Sequence, residues 1–267
     1  MKKVILITGS TDGIGKLAAI KLASDGHSIY LHGRSSEKLQ TVIEEVKTQS
    51  GNQNINGFVA DLSSFKAVKK MAIEIKETLT QLDILINNAG VFYGKKLTNE
   101  NGLDLRFVVN YLSPYLLTKE LLPLLKKSEE ARIINLSSAA QSPVSFDALK
   151  GSTALSENAT YAQSKLALTQ WSFTLAQEEK DLVVIAVNPG SLLNTNMVKV
   201  AYGKFWSGAD KGGNILYDLA VSEQYKDKSG IYFDNDQGRI GQAHTDAYNS
   251  ELNYSLIQLT ESILNNY

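Results

Sequence analysis

Tyr161 and Lys165 stand four residues apart in Tyr161-Ala162-Gln163-Ser164-Lys165. On a helix this spacing puts both side chains on one face. An ammonium beside a phenol stabilises the phenolate and lowers its pKa from about 10 toward working pH. A tyrosine tuned in this way gives or takes a proton at a carbonyl or alcohol oxygen. The pattern is a common chance match, so its neighbours matter. Upstream, Ile133-Ile134-Asn135-Leu136-Ser137-Ser138 ends an apolar run on two hydroxyls. Either can hold a substrate oxygen, or simply make a turn or a cap. Asn110 is a polar residue in an apolar helical pattern, Phe107-Val108-Val109-Asn110-Tyr111, where it needs partners of its own.

The elements that must position these groups begin near the N-terminus. An apolar run at residues 4–7 leads into Thr8-Gly9-Ser10-Thr11-Asp12-Gly13-Ile14-Gly15. Leu17-Ala18-Ala19-Ile20-Lys21-Leu22 follows with helical spacing. Strand, glycine-rich turn and helix in that order form a phosphate cradle. Glycines let the backbone approach a pyrophosphate, and the N–H groups of the helix start face its charge. The glycines at 9, 13 and 15 give G-x-x-x-G-x-G rather than G-x-G-x-x-G. Thr11 or Asp12 can cap the helix.

The second strand ends His32-Gly33-Arg34-Ser35. A site for NAD usually carries a carboxylate here for the ribose 2′-hydroxyl. Gly33 takes that place and Arg34 follows. A guanidinium grips a 2′-phosphate that a carboxylate would repel, and Ser35 can add a hydrogen bond. The expected cofactor is NADP(H). The third strand ends Ala60-Asp61-Leu62, where Asp61 can accept from an adenine amino group or cap the next helix. The fourth ends Asn87-Asn88-Ala89-Gly90, small enough for a flat cofactor to lie against. Ligands of open α/β sheets bind at these carboxyl ends.

Apolar runs at residues 4–7, 28–31, 57–60, 84–86, 132–136, 182–187 and 231–233 read as buried parallel strands. Helical patterns lie between them at 14–24, 37–48, 64–80, 103–127, 159–180 and roughly 210–225. Pro123 should kink or end its helix. Leu252, Leu256, Leu259 and Ile263 share a face of a final helix. The expected fold is α/β: one Rossmann-like, doubly wound domain over 1–267, with a parallel seven-stranded sheet and helices on both faces. A substrate-loop region is expected at about 191–225.

The 267 residues suffice for a sizeable core. Lys plus Arg number 27 and Asp plus Glu 28, which argues against nucleic acid or an anionic membrane as the main partner. There is no cysteine, hence no thiol nucleophile and no disulfide. His27, His32 and His244 lack metal-ligand spacing and read as surface or packing residues. No apolar run reaches the ~20 residues of a membrane span, and the run after Met1-Lys2-Lys3 is too short for a signal-peptide core. A cytoplasmic protein is expected. No G-x-S-x-G elbow and no Walker A motif is present.

Taken in order, these pieces resemble the short-chain dehydrogenase/reductase family, and within it the retinol-dehydrogenase and protochlorophyllide-reductase branch. The matching pieces are the turn at Gly9, Gly13, Ile14 and Gly15, Asp61-Leu62, Asn88-Ala89-Gly90, Asn110, Ser138, Tyr161 with Lys165, and Asn188-Pro189-Gly190. The segment Gly102 to Asn110 and the long gap from Ser138 to Tyr161 carry the branch. The resemblance implies that Tyr161 is the general acid/base. It implies that Lys165 lowers the tyrosine's pKa and binds the nicotinamide ribose, and that Ser138 rather than Ser137 holds the substrate oxygen. By the same resemblance Asn110 anchors a water in a proton relay, and Pro189 and Gly190 pack on the nicotinamide. Two places depart from it. Tyr111-Leu112-Ser113-Pro114 follows Asn110 where the branch often has His-Leu-Gly-His, so a homo-oligomer is possible but not implied. The threonine expected after Pro-Gly stands one residue late, at Thr195.

The implied function is hydride transfer between NADP(H) and a small-molecule carbonyl or alcohol. Phe92, Tyr93, Phe146, Leu149, Tyr202, Phe205 and Trp206 are candidates for an apolar substrate lining. The alternatives are a non-catalytic NADP(H)-binding regulator and an epimerase or dehydratase using the same Tyr-Lys pair.

Overall fold

The computed structural model describes residues 2–94 and 96–267, and of Tyr202 the backbone alone. Among the described residues eight strands form one sheet. They are β1 (Val4–Ile7), β2 (Ser28–Gly33), β3 (Ile55–Val59), β4 (Ile84–Asn87), β5 (Arg132–Leu136), β6 (Val183–Asn188), β7 (Ile231–Asp234) and β8 (Arg239–Gly241). Their order is β3-β2-β1-β4-β5-β6-β7-β8. The first seven run parallel, as expected. The eighth pairs antiparallel with β7. It corrects the expected count of seven. Three exposed or half-exposed residues carry no apolar run, so only the turn before them, with Gly238 at φ 66°, marks it.

The alternation of strand side chains sorts them onto two helical layers. Ile5, Ile7, Ile84, Ile86, Ile134 and Ile185 face α1 (Gly13–Ser24), α2 (Ser36–Ser50) and α9 (Ala209–Val221). Leu6, Leu85, Ile133 and Val184 face the opposite layer. That layer holds α3 (Phe65–Thr78), α5 (Ser113–Leu125), α7 (Glu157–Glu178) and the final helix α10 (Ser250–Leu264). Short helices α4 (Leu105–Phe107), α6 (Phe146–Leu149) and α8 (Asn196–Tyr202) sit in the connections. α9 can lie close on α1 because Gly212 and Gly213 face Ile14 and Leu17, where an added Cβ would come within 2.6 and 2.8 Å.

The helix expected over 103–127 is broken. α4 runs through a π-helical stretch, Val108–Leu112, into α5. The wider turn carries Asn110, whose amide bonds to Val91: it accepts from the Val91 N–H at 2.8 Å and donates to its carbonyl at 3.0 Å. Pro123 lies inside α5, two residues before its end.

α10 covers the layer of α5 and α7. Tyr111 and Thr260 hydroxyls meet at 2.6 Å, Tyr115 donates to Glu261 at 2.5 Å, and Lys119 pairs with Glu261 at 2.7 Å. Of the four apolar positions expected to share a face, Leu256 and Ile263 are buried, while Leu252 is 38 % exposed. Leu256→Ala should therefore cost about 2–5 kcal/mol in urea unfolding, and Leu252→Ala well under half of that. Equal costs would show that α10 contributes no core.

Candidate active site

The strand order reverses between β1 and β4, and there the carboxyl ends of neighbouring strands open a crevice. Thr8 and Asn88 clamp it. Thr8 Oγ1 accepts from the N–H groups of Asn88 and Ala89, both at 3.1 Å. Asn88 Nδ2 donates to the carbonyls of Thr8 and Gly9 at 2.8 and 2.9 Å. Gly9 needs φ 63°, and a Cβ there would lie 2.7 Å from Ala89 Cα. A Cβ on Gly15 would overlap Asn88 Nδ2. These two glycines are the condition for the clamp.

Beneath the turn lies His32, 2 % exposed. Its Nδ1 accepts from the Gly9 N–H at 3.0 Å and its Nε2 meets the Ala60 carbonyl at 3.1 Å. Those partners fix the neutral Nε2–H tautomer. Burial pushes its pKa down to about 4. Read from sequence as a surface or packing residue, it holds the cradle to the ends of β2 and β3. Only its position before Gly33 could have signalled this. Ser10 also turns inward: its Oγ donates to the Ile7 carbonyl and accepts from the His32 N–H.

A cavity of about 1550 Å³ spreads from this turn across the sheet. It exceeds the roughly 300–1,000 Å³ of a pocket for one small molecule. Gly9, Thr11, Asp12, Gly13 and Ile14 line one end. Asp12 caps α1 through the Gly13 N–H at 2.8 Å. Arg34, Asp61 and Leu62 line the adjoining wall. Gly33 leaves no space there for a larger residue, since a Cβ would stand 2.5 Å from Thr11 Cγ2. Lys38, which the sequence did not single out, lines the cavity with Arg34 and lies 3.5 Å from Asp12. Ser35 is not on the wall: it caps α2 by accepting from the Lys38 N–H at 3.3 Å. Asp61 accepts from the Ser63 N–H at 2.9 Å.

Asn88, Ala89 and Gly90 line the middle. Gly90 abuts the far group: a Cβ there would stand 3.4 Å from Asn110 Oδ1 and 3.6 Å from Lys165 Nζ. Ser138, Tyr161, Lys165, Pro189, Gly190 and Thr195 line the far end. Lys165 lies 5.6 Å from the Tyr161 ring centre. It is 4 % exposed and donates to the Leu136 carbonyl at 2.7 Å. Burial pushes its pKa down to about 7. Phe92 packs on Tyr161, ring centres 4.6 Å apart. Asn110 stands behind the wall and donates to Ser164 at 3.0 Å, on the helix that carries both residues. Arg106 ties the same region together, pairing with Asp104 at 2.8 Å and Glu157 at 3.3 Å and donating to the Phe92 carbonyl.

The two serines separate. Ser137 is buried against Thr169 at 2.7 Å. Ser138 accepts from the Ala140 N–H at 3.1 Å, which leaves its own proton to donate. Thr195 caps α8 through the Val198 N–H, with its methyl facing Gly13. Asn196 reaches Asp12 at 2.6 Å, joining that segment to the glycine-rich turn. The apolar wall consists of Phe92, Leu105, Val109, Leu193, Met197 and Val198, with Tyr93 and Leu97 nearer the rim. Leu149 belongs instead to the core, Phe146 packs against that core, and Phe205 and Trp206 are exposed. The Tyr202 side chain lies outside the described residues.

The model of the family described as short chain dehydrogenase matches residues 3–203. The chain belongs to the short chain dehydrogenase family. It is therefore an oxidoreductase by kinship. It is 34 % identical to human retinol dehydrogenase 13 over 251 residues, covering 87 % of this chain and 76 % of that one. It is 33 % identical to human polyprenol dehydrogenase, covering 77 % and 64 %. Among solved structures, a short chain dehydrogenase from Shigella flexneri complexed with NADP superposes with a TM-score of 0.71. The two are 28 % identical over 88 % of this chain and 97 % of that one.

His32 gives this site a pH signature. As pH falls below 6.5 the unfolded chain takes up a proton that the buried imidazole refuses until about 4. Its contribution to stability is full above 6.5 and declines toward pH 4, by roughly 3 kcal/mol in all. His32→Gln should lower stability at pH 7 and flatten the urea-unfolding profile between pH 6.5 and 4 by that amount. Parallel profiles for wild type and variant would refute it. His27, also held below its ordinary value by burial, is common to both proteins.

Proposed function

We propose that the chain is an NADP(H)-dependent oxidoreductase acting on an apolar alcohol and its carbonyl partner. The observation that carries this is one cavity with the glycine-rich turn at one end and Ser138, Tyr161 and Lys165 at the other. NADP(H), when bound, supplies or accepts the hydride. Gly9 to Gly15 and the start of α1 would hold its phosphates, Asp61 and Leu62 its adenine, and Gly90, Pro189, Gly190 and Thr195 its nicotinamide end.

The residues do the proton chemistry. Ser138 donates to the substrate oxygen and fixes its place. In reduction Tyr161 gives its proton to that oxygen as the carbonyl carbon gains a hydride, and in oxidation it takes one back. Lys165 is costly to charge alone, because burial brings it to about pH 7. Lys165 Nζ lies 5.6 Å from the Tyr161 ring centre, where an ammonium would favour the phenolate over the phenol. Asn110 is a positioning residue, because its amide is committed to Val91 and Ser164. The apolar wall supports an apolar substrate. So do the similar dehydrogenases, which are named for retinol and polyprenol, both long apolar alcohols.

Tyr161→Phe keeps the ring and removes the acid. With NADPH and a panel of apolar aldehydes and ketones, kcat should fall about 10²- to 10⁴-fold with little change in fold. Reduction at the wild-type rate would refute the assignment. The 2′-phosphate preference is a separate matter, carried by Gly33, Arg34 and Lys38. By direct titration NADPH should bind more tightly than NADH. Arg34→Ala should weaken NADPH by about 10- to 100-fold, and leave NADH nearly unchanged. Equal wild-type affinities would overturn it.

A further inference from the structure

β8 is three residues long, Arg239-Ile240-Gly241, and none of them is buried, so it adds nothing to the core. It pairs with β7 and closes a hairpin. The turn of that hairpin, residues 235–238, bonds to the loop that leaves β6. That loop supplies Asn188, Pro189, Gly190 and Leu193 to the cavity wall. A strand that buries nothing thus presents a turn to the part of the site where the nicotinamide would lie.

The turn takes hold of the loop's main chain group by group. The Asn235 N–H donates to the Asn188 carbonyl at 3.1 Å. Asn235 Nδ2 donates to the Pro189 carbonyl at 2.8 Å and to that of Lys211, in the first turn of α9, at 3.2 Å. The Asp236 carboxylate accepts from the Ser191 N–H at 2.8 Å, from the Ser191 hydroxyl at 2.5 Å and from Asn188 Nδ2 at 3.0 Å. Asn188 in turn accepts from the Gly190 N–H at 3.2 Å. Only an ionised carboxylate has the acceptor sites for three such donors without donating itself. Burial alone would raise the Asp236 pKa, but the bonds from Ser191 and Asn188 and the charge of Lys211, 3.8 Å away, hold it below the usual carboxylate value. The shape held in this way is one the chain resists. Leu192 has φ 47° and is the one non-glycine residue at positive φ among the described residues. A residue with a Cβ stays there only where its surroundings over-determine it. Here Asp236 fixes Ser191 on one side, and on the other the Trp206 N–H donates to the Leu192 carbonyl at 2.9 Å.

We propose that Asp236 and Asn235 are positioning residues for the nicotinamide end of the cofactor. Neither lines the cavity, so they act through the loop and touch no ligand. They hold Pro189 and Gly190 as a wall already in place, so that a flat ring meets a formed surface instead of ordering a loop as it binds. The adenine end, built on the glycine-rich turn and the ends of β2 and β3, has no bond to this hairpin and does not depend on it. The identity of the ligand rests on the proposed NADP(H) reading. The bracing of the loop does not, since it is a property of the chain without ligand.

The test separates the two halves of the cofactor. Full-length wild type and Asp236→Ala are titrated with NADPH and with adenosine 2′,5′-bisphosphate, which has the adenine half and no nicotinamide. Asp236→Ala should weaken NADPH by about tenfold and leave the bisphosphate unchanged. Asp236→Asn keeps an acceptor for the Ser191 N–H and should fall between the two. Arg239→Ala, on the same hairpin with its guanidinium on Gln237, should change neither affinity. A second readout needs no ligand. In amide exchange followed by NMR, the Ser191 N–H of the cofactor-free protein should be protected in wild type and in Asp236→Asn. It should exchange about tenfold faster or more in Asp236→Ala. Equal weakening of both ligands would make the hairpin a purely structural support and overturn the proposal. So would an unchanged NADPH affinity in Asp236→Ala, or a Ser191 amide unprotected in wild type. These outcomes leave the cofactor reading standing. Failure of the wild type to bind NADPH would overturn that reading and this inference together.

Discussion

Parallel strands that part at a reversal of strand order leave main-chain groups without ladder partners, and such groups cannot remain unpaired at a buried edge. Here the Thr8 hydroxyl and the Asn88 amide satisfy them across the gap between β1 and β4. The crevice and its floor are therefore one construction. The clamp brings Ala89 so near the turn that residue 9 has no room for a side chain, and brings Asn88 so near α1 that residue 15 has none. His32 closes the same construction from below, because the Gly9 N–H points at it instead of at a strand. The backbone that would face a pyrophosphate is thus held from three sides before any ligand arrives, which lowers the ordering cost of binding.

The far end of the cavity follows a different rule. Lys165 is the most buried lysine among the described residues, and its ammonium donates to the Leu136 carbonyl. A buried ammonium with so little compensation loses its proton readily. On the proposed reading this is a working feature. The lysine's charge is unfavourable alone, and a negative charge on the neighbouring tyrosine would favour it. The π-helical stretch serves that arrangement indirectly. It lets Asn110 hold Val91 on one side and Ser164 on the other, fixing the strand-end segment against the helix that bears Tyr161 and Lys165.

Much of this was legible in the sequence, because the features involved are local. Strands with Val and Ile in unbroken runs declare a parallel sheet, and seven of the eight were visible for that reason. β8 was not, since an edge strand of three residues buries nothing that a hydropathy pattern can register. The cavity residues fixed by backbone geometry were legible too: Gly9, Gly13 and the pair Tyr161 and Lys165 depend on spacing alone. What remained hidden depended on tertiary direction. Ser10 and Ser35 are hydroxyls in plausible places, but each is spent on its own chain, one on Ile7 and His32, the other on the α2 cap. Lys38 was missed because nothing in one dimension says that the first turn of α2 faces back toward Arg34. The apolar candidates divided, because apolar type does not distinguish core from wall or rim: Phe92 and Tyr93 line the cavity, Leu149 went to the core, and Phe205 and Trp206 to solvent.

The same limitation governs charge. Near-equal totals of acidic and basic residues argue against an anionic partner only if the charges are mixed. Over a Debye length of about 8 Å a partner meets a patch and not a sum. The acids of this chain are spread over helix starts and exposed faces, where they cap α1, pair with lysines and anchor α10. They leave 91–99 and 189–209 without a single carboxylate. The same segments bury Phe92 and Leu193 but leave Tyr93, Leu97, Met197, Val200, Phe205 and Trp206 exposed. The exposed apolar side chains fall beside the opening through which an apolar substrate would pass, while Asp12, Asp61 and Glu100 line the same cavity. A composition-level reading averages such exposed apolar groups away, and the folded chain collects them beside one cavity.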